Sequence, residues 1–245
     1  MFLVDFQTRT HSLLHDFAKR IHEGGLGQVV SAEASYETGT VGEEVDAARR
    51  ADPKNPELRL RAWVTDRTLS GDIITEQNIH SLDLACWLLD AAPERAYGTG
   101  GKRRNFVGDC WDHFSVVFHF PKGIILTFNS KQAGFAYEEI MCRVYGINGT
   151  ADAHYFGKCF YKTREDYVAG DVENLYTTGA EANIETFHAS VVQGKYENST
   201  VSPSVRSNLT SILGRTAAYS GTEISWDKMI ARKEAFEADL RGLKS

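Results

Sequence analysis

The sequence predicts an α+β fold, an open and mainly antiparallel β-sheet with helices on one face. Two patterns carry that expectation. From Asp112 to Tyr161 short segments alternate apolar and polar residues and are parted by Gly or Pro turns, as in successive hairpins. Before and after that block the apolar residues recur at intervals of three and four, as in helices that cover a sheet. With 245 residues and 42% apolar content the chain can bury one substantial core, and it reads as a single domain over 1–245.

The first element is a helix over His11–Glu23, with Leu13, Leu14, Phe17 and Ile21 on one face and Gly24-Gly25 as its stop. A strand over Val29–Tyr36 follows. Glu37–Arg61 is charged and nearly aperiodic, which predicts a long irregular connection. Because it runs through Arg61-Ala62-Trp63 into the stretch richest in ionisable groups, it reads as a lid over a site. That stretch, Ser70–Asp90, reads as a helix starting near Glu76. Ile79, Leu82, Cys86 and Leu89 form its core stripe, and Glu76, His80, Asp83 and Trp87 form the stripe beside it. Pro93 and the Gly98-Thr99-Gly100-Gly101 cluster then break the helix. Strands are expected over 112–120 and 124–130, joined at Pro121-Lys122-Gly123, and over 139–145, 150–155 and 158–161. Helices over 182–192, 204–219 and 225–240 close the chain, the last capped by Ser225 with Asp227 in its first turn.

Composition excludes several partners. The net charge of −6 and the lack of a long basic run argue against nucleic acid. No apolar run approaches membrane-spanning length, and Asp5 and Arg9 interrupt any signal peptide, so no membrane partner is expected. The four cysteines, 86, 110, 142 and 159, lack the spacing of a metal site or a disulfide framework. They read as reduced thiols in a cytoplasmic protein with no metal. The sequons at Asn148, Asn198 and Asn208 carry no weight without secretion.

A continuous helix would set Glu76 and His80 one turn apart with Asp83 below them, an arrangement suited to general acid/base chemistry. A structural reading competes with it: Glu76 in a first turn for dipole reasons and His80 bonded to Asp83.

The run Gly71-Asp72-Ile73-Ile74-Thr75-Glu76-Gln77-Asn78-Ile79-His80-Ser81-Leu82-Asp83, with Trp87-Leu88-Leu89, resembles the signature of the glucose-fructose oxidoreductase / inositol dehydrogenase (Gfo/Idh/MocA) family, in its C-terminal substrate domain. Phe6-Gln7-Thr8-Arg9, the 24–30 turn, and Gly214–Gly221 with Ser225-Trp226-Asp227 resemble further pieces in the family's order. The resemblance implies a sugar or polyol oxidoreductase that uses NAD or NADP, with His80 and Glu76 assisting hydride transfer. The family's acid is commonly Asp, so Glu76 is one methylene longer. The resemblance also implies substrate contacts from Arg9, Asn78, Asp112 and His113, and a cofactor contact from Tyr219. Trp63, like Trp87, could offer a sugar face an apolar platform.

No Gly-x-Gly-x-x-Gly follows a strand, so the family's N-terminal Rossmann domain and its catalytic Lys are not expected in this chain, nor is binding of NAD by the chain alone. A separate Rossmann-domain chain could supply that half. The alternatives are a cofactor-independent isomerase, lyase or hydrolase using Glu76 and His80, and a non-catalytic oligomerisation subunit. An apolar second face of the sheet would favour a homo-oligomer through that face.

Overall fold

In the computed structural model, which describes residues 2–197 and 199–243, a 3-10 turn over Gln7–Thr10 leads into α1 (Ser12–His22). Leu14, Phe17, Ala18 and Ile21 of α1 are buried. The Asn198 sequon lies outside the described residues. After β1 (Val29–Thr38), the segment expected to be irregular holds two helices, α2 (Glu43–Ala51) and α3 (Pro56–Arg61). Their signals are local ones. Three acidic residues occupy the first turn of α2, while Asn55 caps α3 with Pro56 following it. Neither helix buries an apolar stripe, so hydrophobic periodicity gives no sign of them.

The central stretch is three helices rather than one: α4 (Arg67–Ser70), α5 (Ile73–Glu76) and α6 (Ile79–Leu88). At the last joint Gln77 N and Asn78 N both donate to Ile73 O, at 3.0 and 2.9 Å. The second of these is a wide, π-type turn, which rotates the residues before it relative to those after it. α6 is buried on all sides from Ser81 to Leu88, so its apolar spacing marks no single face.

The remaining elements are β2 (Arg95–Gly101), β3 (His113–His119), β4 (Ile125–Gln132), β5 (Glu139–Gly146), β6 (Gly149–His154), β7 (Gly157–Thr163), β8 (Tyr167–Val172), α7 (Leu175–Val192), α8 (Val201–Ser220), β9 (Ile224–Ser225) and α9 (Trp226–Arg232). The glycine cluster expected to break structure is part of β2. Gly100 there lies against the His113 carbonyl and the Trp111 ring with no room for a side chain. α9 stops at Arg232 rather than Leu240, where Lys233 turns left-handed.

Among the described residues one sheet of nine strands results, in the order β8-β7-β6-β5-β1-β4-β3-β2-β9. Among the described residues its sole parallel pair is β1 with β4. Since β2 and β3 intervene in sequence, no consecutive strands among the described residues form a βαβ unit. Ala32, Ala34 and Tyr36 of β1, Leu126 and Phe128 of β4, and Phe114, Val116 and Phe118 of β3 are buried toward α6 and α8. The opposite face is not the apolar patch that alternation suggested. Arg143 pairs there with Glu33 at 2.6 Å and Asp152 at 2.8 Å, Tyr145 donates to Glu33 at 2.6 Å, and His154 meets Asp152 at 2.9 Å.

All four cysteines are free and buried. No helix among the described residues is long and apolar enough to cross a membrane, and none of their His, Cys, Asp and Glu clusters could hold a metal.

Candidate functional site

His80 sits in the first turn of α6, half-buried, with its ring edge-on to Phe6 and Tyr155 at 6.0 and 5.6 Å. Its Nδ1 is 2.8 Å from the Tyr155 hydroxyl, which is also 2.8 Å from Gln7 Oε1. Gln7 Nε2 in turn donates to Asp5 at 2.8 Å. Tyr155 leads on to Tyr176, 5.4 Å away between ring centroids, and the Tyr176 hydroxyl meets that of Tyr36 at 2.8 Å.

Glu76 borders the far end of this tyrosine cluster. Burial is the main cause of the raised pKa values of Tyr36 and Tyr176, and the Glu76 charge adds to both. Glu76 and His80 therefore flank the cluster instead of stacking one turn apart, because the wide turn at Gln77-Asn78 breaks the helical repeat between them. Burial pushes the Glu76 carboxyl up from its ordinary range. Burial also lowers the His80 pKa, opposed by Asp83 and Asp5. Both shifts favour the uncharged forms of the two groups. Glu76 Oε2, Asn78 Oδ1 and Thr75 Oγ1 are buried with no hydrogen-bond partner, a costly state unless another molecule supplies one.

The other residues expected at the site are distributed differently. Arg9 forms a two-pronged pair with Asp83, both contacts at 2.9 Å, and Ser207 donates to the same carboxylate at 2.6 Å. The guanidinium also lies 5.1 Å from the Trp87 ring centroid. Arg9 is thus committed to the core, and Asp83 serves Arg9 rather than His80. Trp87 is buried between Arg9 and His15, so it offers no platform. Trp63 is exposed in a 3-10 turn, with no hydrogen bond or ring contact to Glu76 or His80.

Asp112 accepts from the backbone of Arg103 and Arg104 at 2.7 and 2.6 Å and holds His113 Nδ1 at 2.7 Å. His113 alternates with the buried Phe114, and this pair clamps the start of β3, with no hydrogen bond to His80 or Glu76. Tyr219 donates to Asp72 at 2.5 Å and stacks on Trp111 at 3.9 Å. Asp72 is buried with φ 78° and ψ 161°, a conformation nearly confined to glycine, and burial raises its pKa to about 6. The 39–61 segment is no free lid, since Arg49 pairs with Asp66 at 3.0 Å and Asp46 accepts from Val107 N at 2.5 Å. A cavity of about 910 Å³ beneath α2, lined by Glu43, Asp46, Arg50 and Arg104 among others, is separate from His80 and Glu76.

Gln7, Tyr36, Tyr155 and Tyr176 are the participants that sequence reasoning did not find. Tyr155 is 75 positions from His80 and 148 from Gln7, and no local pattern signals such a meeting.

The family model of the GFO/IDH/MocA C-terminal domain matches residues 15–152. Solved structures of similar fold include an aldose-aldose oxidoreductase from Caulobacter crescentus complexed with glycerol, 17% identical with a TM-score of 0.67, covering 91% of this chain and 63% of that one. A myo-inositol 2-dehydrogenase from Lactobacillus plantarum is 17% identical with a TM-score of 0.64, covering 90% and 63%. An oxidoreductase from Agrobacterium radiobacter in complex with NAD+, L-tartaric acid and magnesium is 14% identical with a TM-score of 0.66, covering 93% and 65%. At these identities the likeness is one of fold, and the chain spans less than two thirds of each structure's length. No curated protein matches the chain in sequence.

Proposed function

Because the chain belongs to the GFO/IDH/MocA family through its C-terminal domain, we propose that it forms the substrate side of an oxidoreductase acting on a CH–OH carbon of a sugar or polyol. One observation carries the reading. Nδ1 of the imidazole is engaged by Tyr155, while Nε2 has no hydrogen-bond partner among the described residues, and Glu76 Oε2 and Asn78 Oδ1, from the segment leading into α6, are buried and also lack partners. A hydroxyl-rich ligand satisfies those groups together. His80 Nε2 takes the proton of the hydroxyl being oxidised, and Glu76 and Asn78 hold neighbouring hydroxyls. Glycerol and L-tartaric acid, found in the Caulobacter and Agrobacterium structures, belong to that chemical class.

The family implies NAD or NADP, and the residues of this chain do not fit a dinucleotide. No consecutive parallel strands make a βαβ cradle among the described residues, and Tyr219 is taken up by Asp72 and Trp111. The nicotinamide belongs to a Rossmann domain, whether on a longer form of this protein or on a separate chain. A homo-oligomer through the exposed sheet face would have to form over the Glu33-Arg143-Asp152 ion pairs rather than over the apolar patch expected there, and the unpaired thiols suit a reducing cytoplasm.

Calorimetry on the chain tests both halves. Polyols should bind and lose binding in Glu76→Gln and His80→Ala, while NAD and NADP should not bind. Micromolar nicotinamide affinity overturns the cofactor half, and polyol binding untouched by either substitution overturns the site. An imidazole nitrogen and a buried carboxyl that both lack partners among the described residues also suit cofactor-independent proton transfer. Turnover of a sugar by the chain without any nicotinamide would establish that second reading.

A further inference from the structure

We propose that a directed chain of hydrogen bonds from Asp5 through Gln7 and Tyr155 fixes His80 in its Nδ1–H tautomer, leaving the Nε2 lone pair toward the substrate side. This rests on the reading of His80 as proton acceptor and names Gln7 and Tyr155 as positioning residues for it.

The direction follows from what each group can donate. An ionised carboxylate only accepts, so the Gln7 group 2.8 Å from Asp5 is the amide nitrogen; a flipped amide would set two acceptors against each other. Asp5 also accepts from Asn183 Nδ2 at 2.5 Å, so both of its oxygens receive amide protons. With its nitrogen turned to Asp5, Gln7 presents Oε1 to Tyr155, and a carbonyl oxygen cannot donate. The Tyr155 hydroxyl proton therefore goes to Gln7 at 2.8 Å. Its oxygen, with no proton left to give, accepts from His80 Nδ1 at 2.8 Å. A neutral imidazole carries a single N–H, so Nε2 is the bare base.

The neighbours do not disturb this order. The charged groups acting on His80 are Asp83, neutralised by Arg9, and Asp5, the start of the chain. Phe6 offers only a ring edge. Tyr155 and Gln7 are buried, so water does not compete for their protons. α7 closes the assembly. Gly179 lies so near Gln7 that a Cβ there would come 2.5 Å from the Gln7 Cβ, and Asn183 of the same helix holds Asp5.

The test is long-range ¹H–¹⁵N correlation on the histidine-labelled chain, above the pH at which His80 titrates. It reports which ring nitrogen bears the proton and needs neither substrate nor turnover. The wild type should show Nδ1 protonated. Gln7→Met removes the acceptor for the Tyr155 proton but leaves Tyr155 in place, so the phenol should turn to donate to Nδ1 and His80 should become predominantly Nε2–H. Tyr155→Phe should also raise the Nε2–H population, by deleting the acceptor. A wild-type Nε2–H signal, or Nδ1–H persisting in a folded Gln7→Met, overturns the proposal. If a variant fails to fold, the wild-type spectrum alone still decides it. Polyol binding absent with the tautomer as stated would sink the oxidoreductase reading and leave this inference standing.

Discussion

Arg9→Met is expected to be the most damaging single change near the site, and its size can be worked from the ion pair it breaks. The Asp83 side chain is 0% exposed and that of Arg9 is 21% exposed. Once the guanidinium is gone, the buried carboxylate keeps one direct partner among the described residues, the Ser207 hydroxyl at 2.6 Å. Removing one partner of a buried pair costs about 3–5 kcal/mol. The partial exposure of Arg9 points to the lower end of that range, and loss of its contact with Trp87 adds about 0.5–1 kcal/mol. For a chain of this length each kcal/mol lowers the melting temperature by roughly 2–4 °C, so thermal denaturation followed by circular dichroism should show a fall on the order of 10 °C. Arg9→Met combined with Asp83→Leu should recover most of the loss, because an apolar pair leaves no charge unpaired. The His80 pKa should rise in Arg9→Met, as the Asp83 charge that raises it is no longer balanced. A single variant melting within about 2 °C of wild type would mean that water replaces the guanidinium and that Asp83 is less isolated than the structure indicates.

Glu76→Gln should stabilise the protein increasingly as pH rises. The folded-state carboxyl is raised by burial, so its contribution is fully present at acid pH and is lost as pH climbs through the raised value; a melting-temperature difference from wild type that stays flat with pH would refute this. Asp72 follows the same sign, its contribution being lost as pH rises from the ordinary carboxylate range through about 6, and Asp72→Asn should flatten that part of the stability curve in urea denaturation. Gly179→Ala, whose Cβ would lie 2.5 Å from the Gln7 Cβ and 2.9 Å from its Cα, should cost about 1–3 kcal/mol and shift the His80 tautomer balance through Gln7. Unchanged stability and an unchanged imidazole spectrum in the Gly179→Ala protein would show that α7 yields freely.

The sheet was legible where side chains alternate in size. His113–His119 and Ile125–Gln132 emerged within a residue or two of their ends because Phe114, Val116, Phe118, Leu126 and Phe128 all point to one face. β2 was not, since its glycines at 98, 100 and 101 remove the very side chains that alternation needs. α6 was recognisable as a helix, but its burial on every side made the choice of a core stripe arbitrary, and the wide turn at Gln77-Asn78 depends on a backbone bond that leaves no trace in residue type. His80 and Glu76 stand out in the sequence through their ionisable chemistry and a motif. Tyr36, Tyr155 and Tyr176 come from β1, the end of β6 and the start of α7, and their meeting is a product of strand order. Arg9 and Asp83 stand 74 positions apart in the sequence, and only the fold shows that they neutralise each other.

The most direct measurement is the turnover of a polyol by His80→Ala in this chain paired with the Rossmann domain that the proposed function calls for, read beside the melting temperature of the same variant. If His80 takes the substrate proton, turnover should fall by about 10²-fold or more while the melting temperature holds. If turnover persists and the protein melts several degrees lower, His80 is a histidine of the core and the proton goes elsewhere.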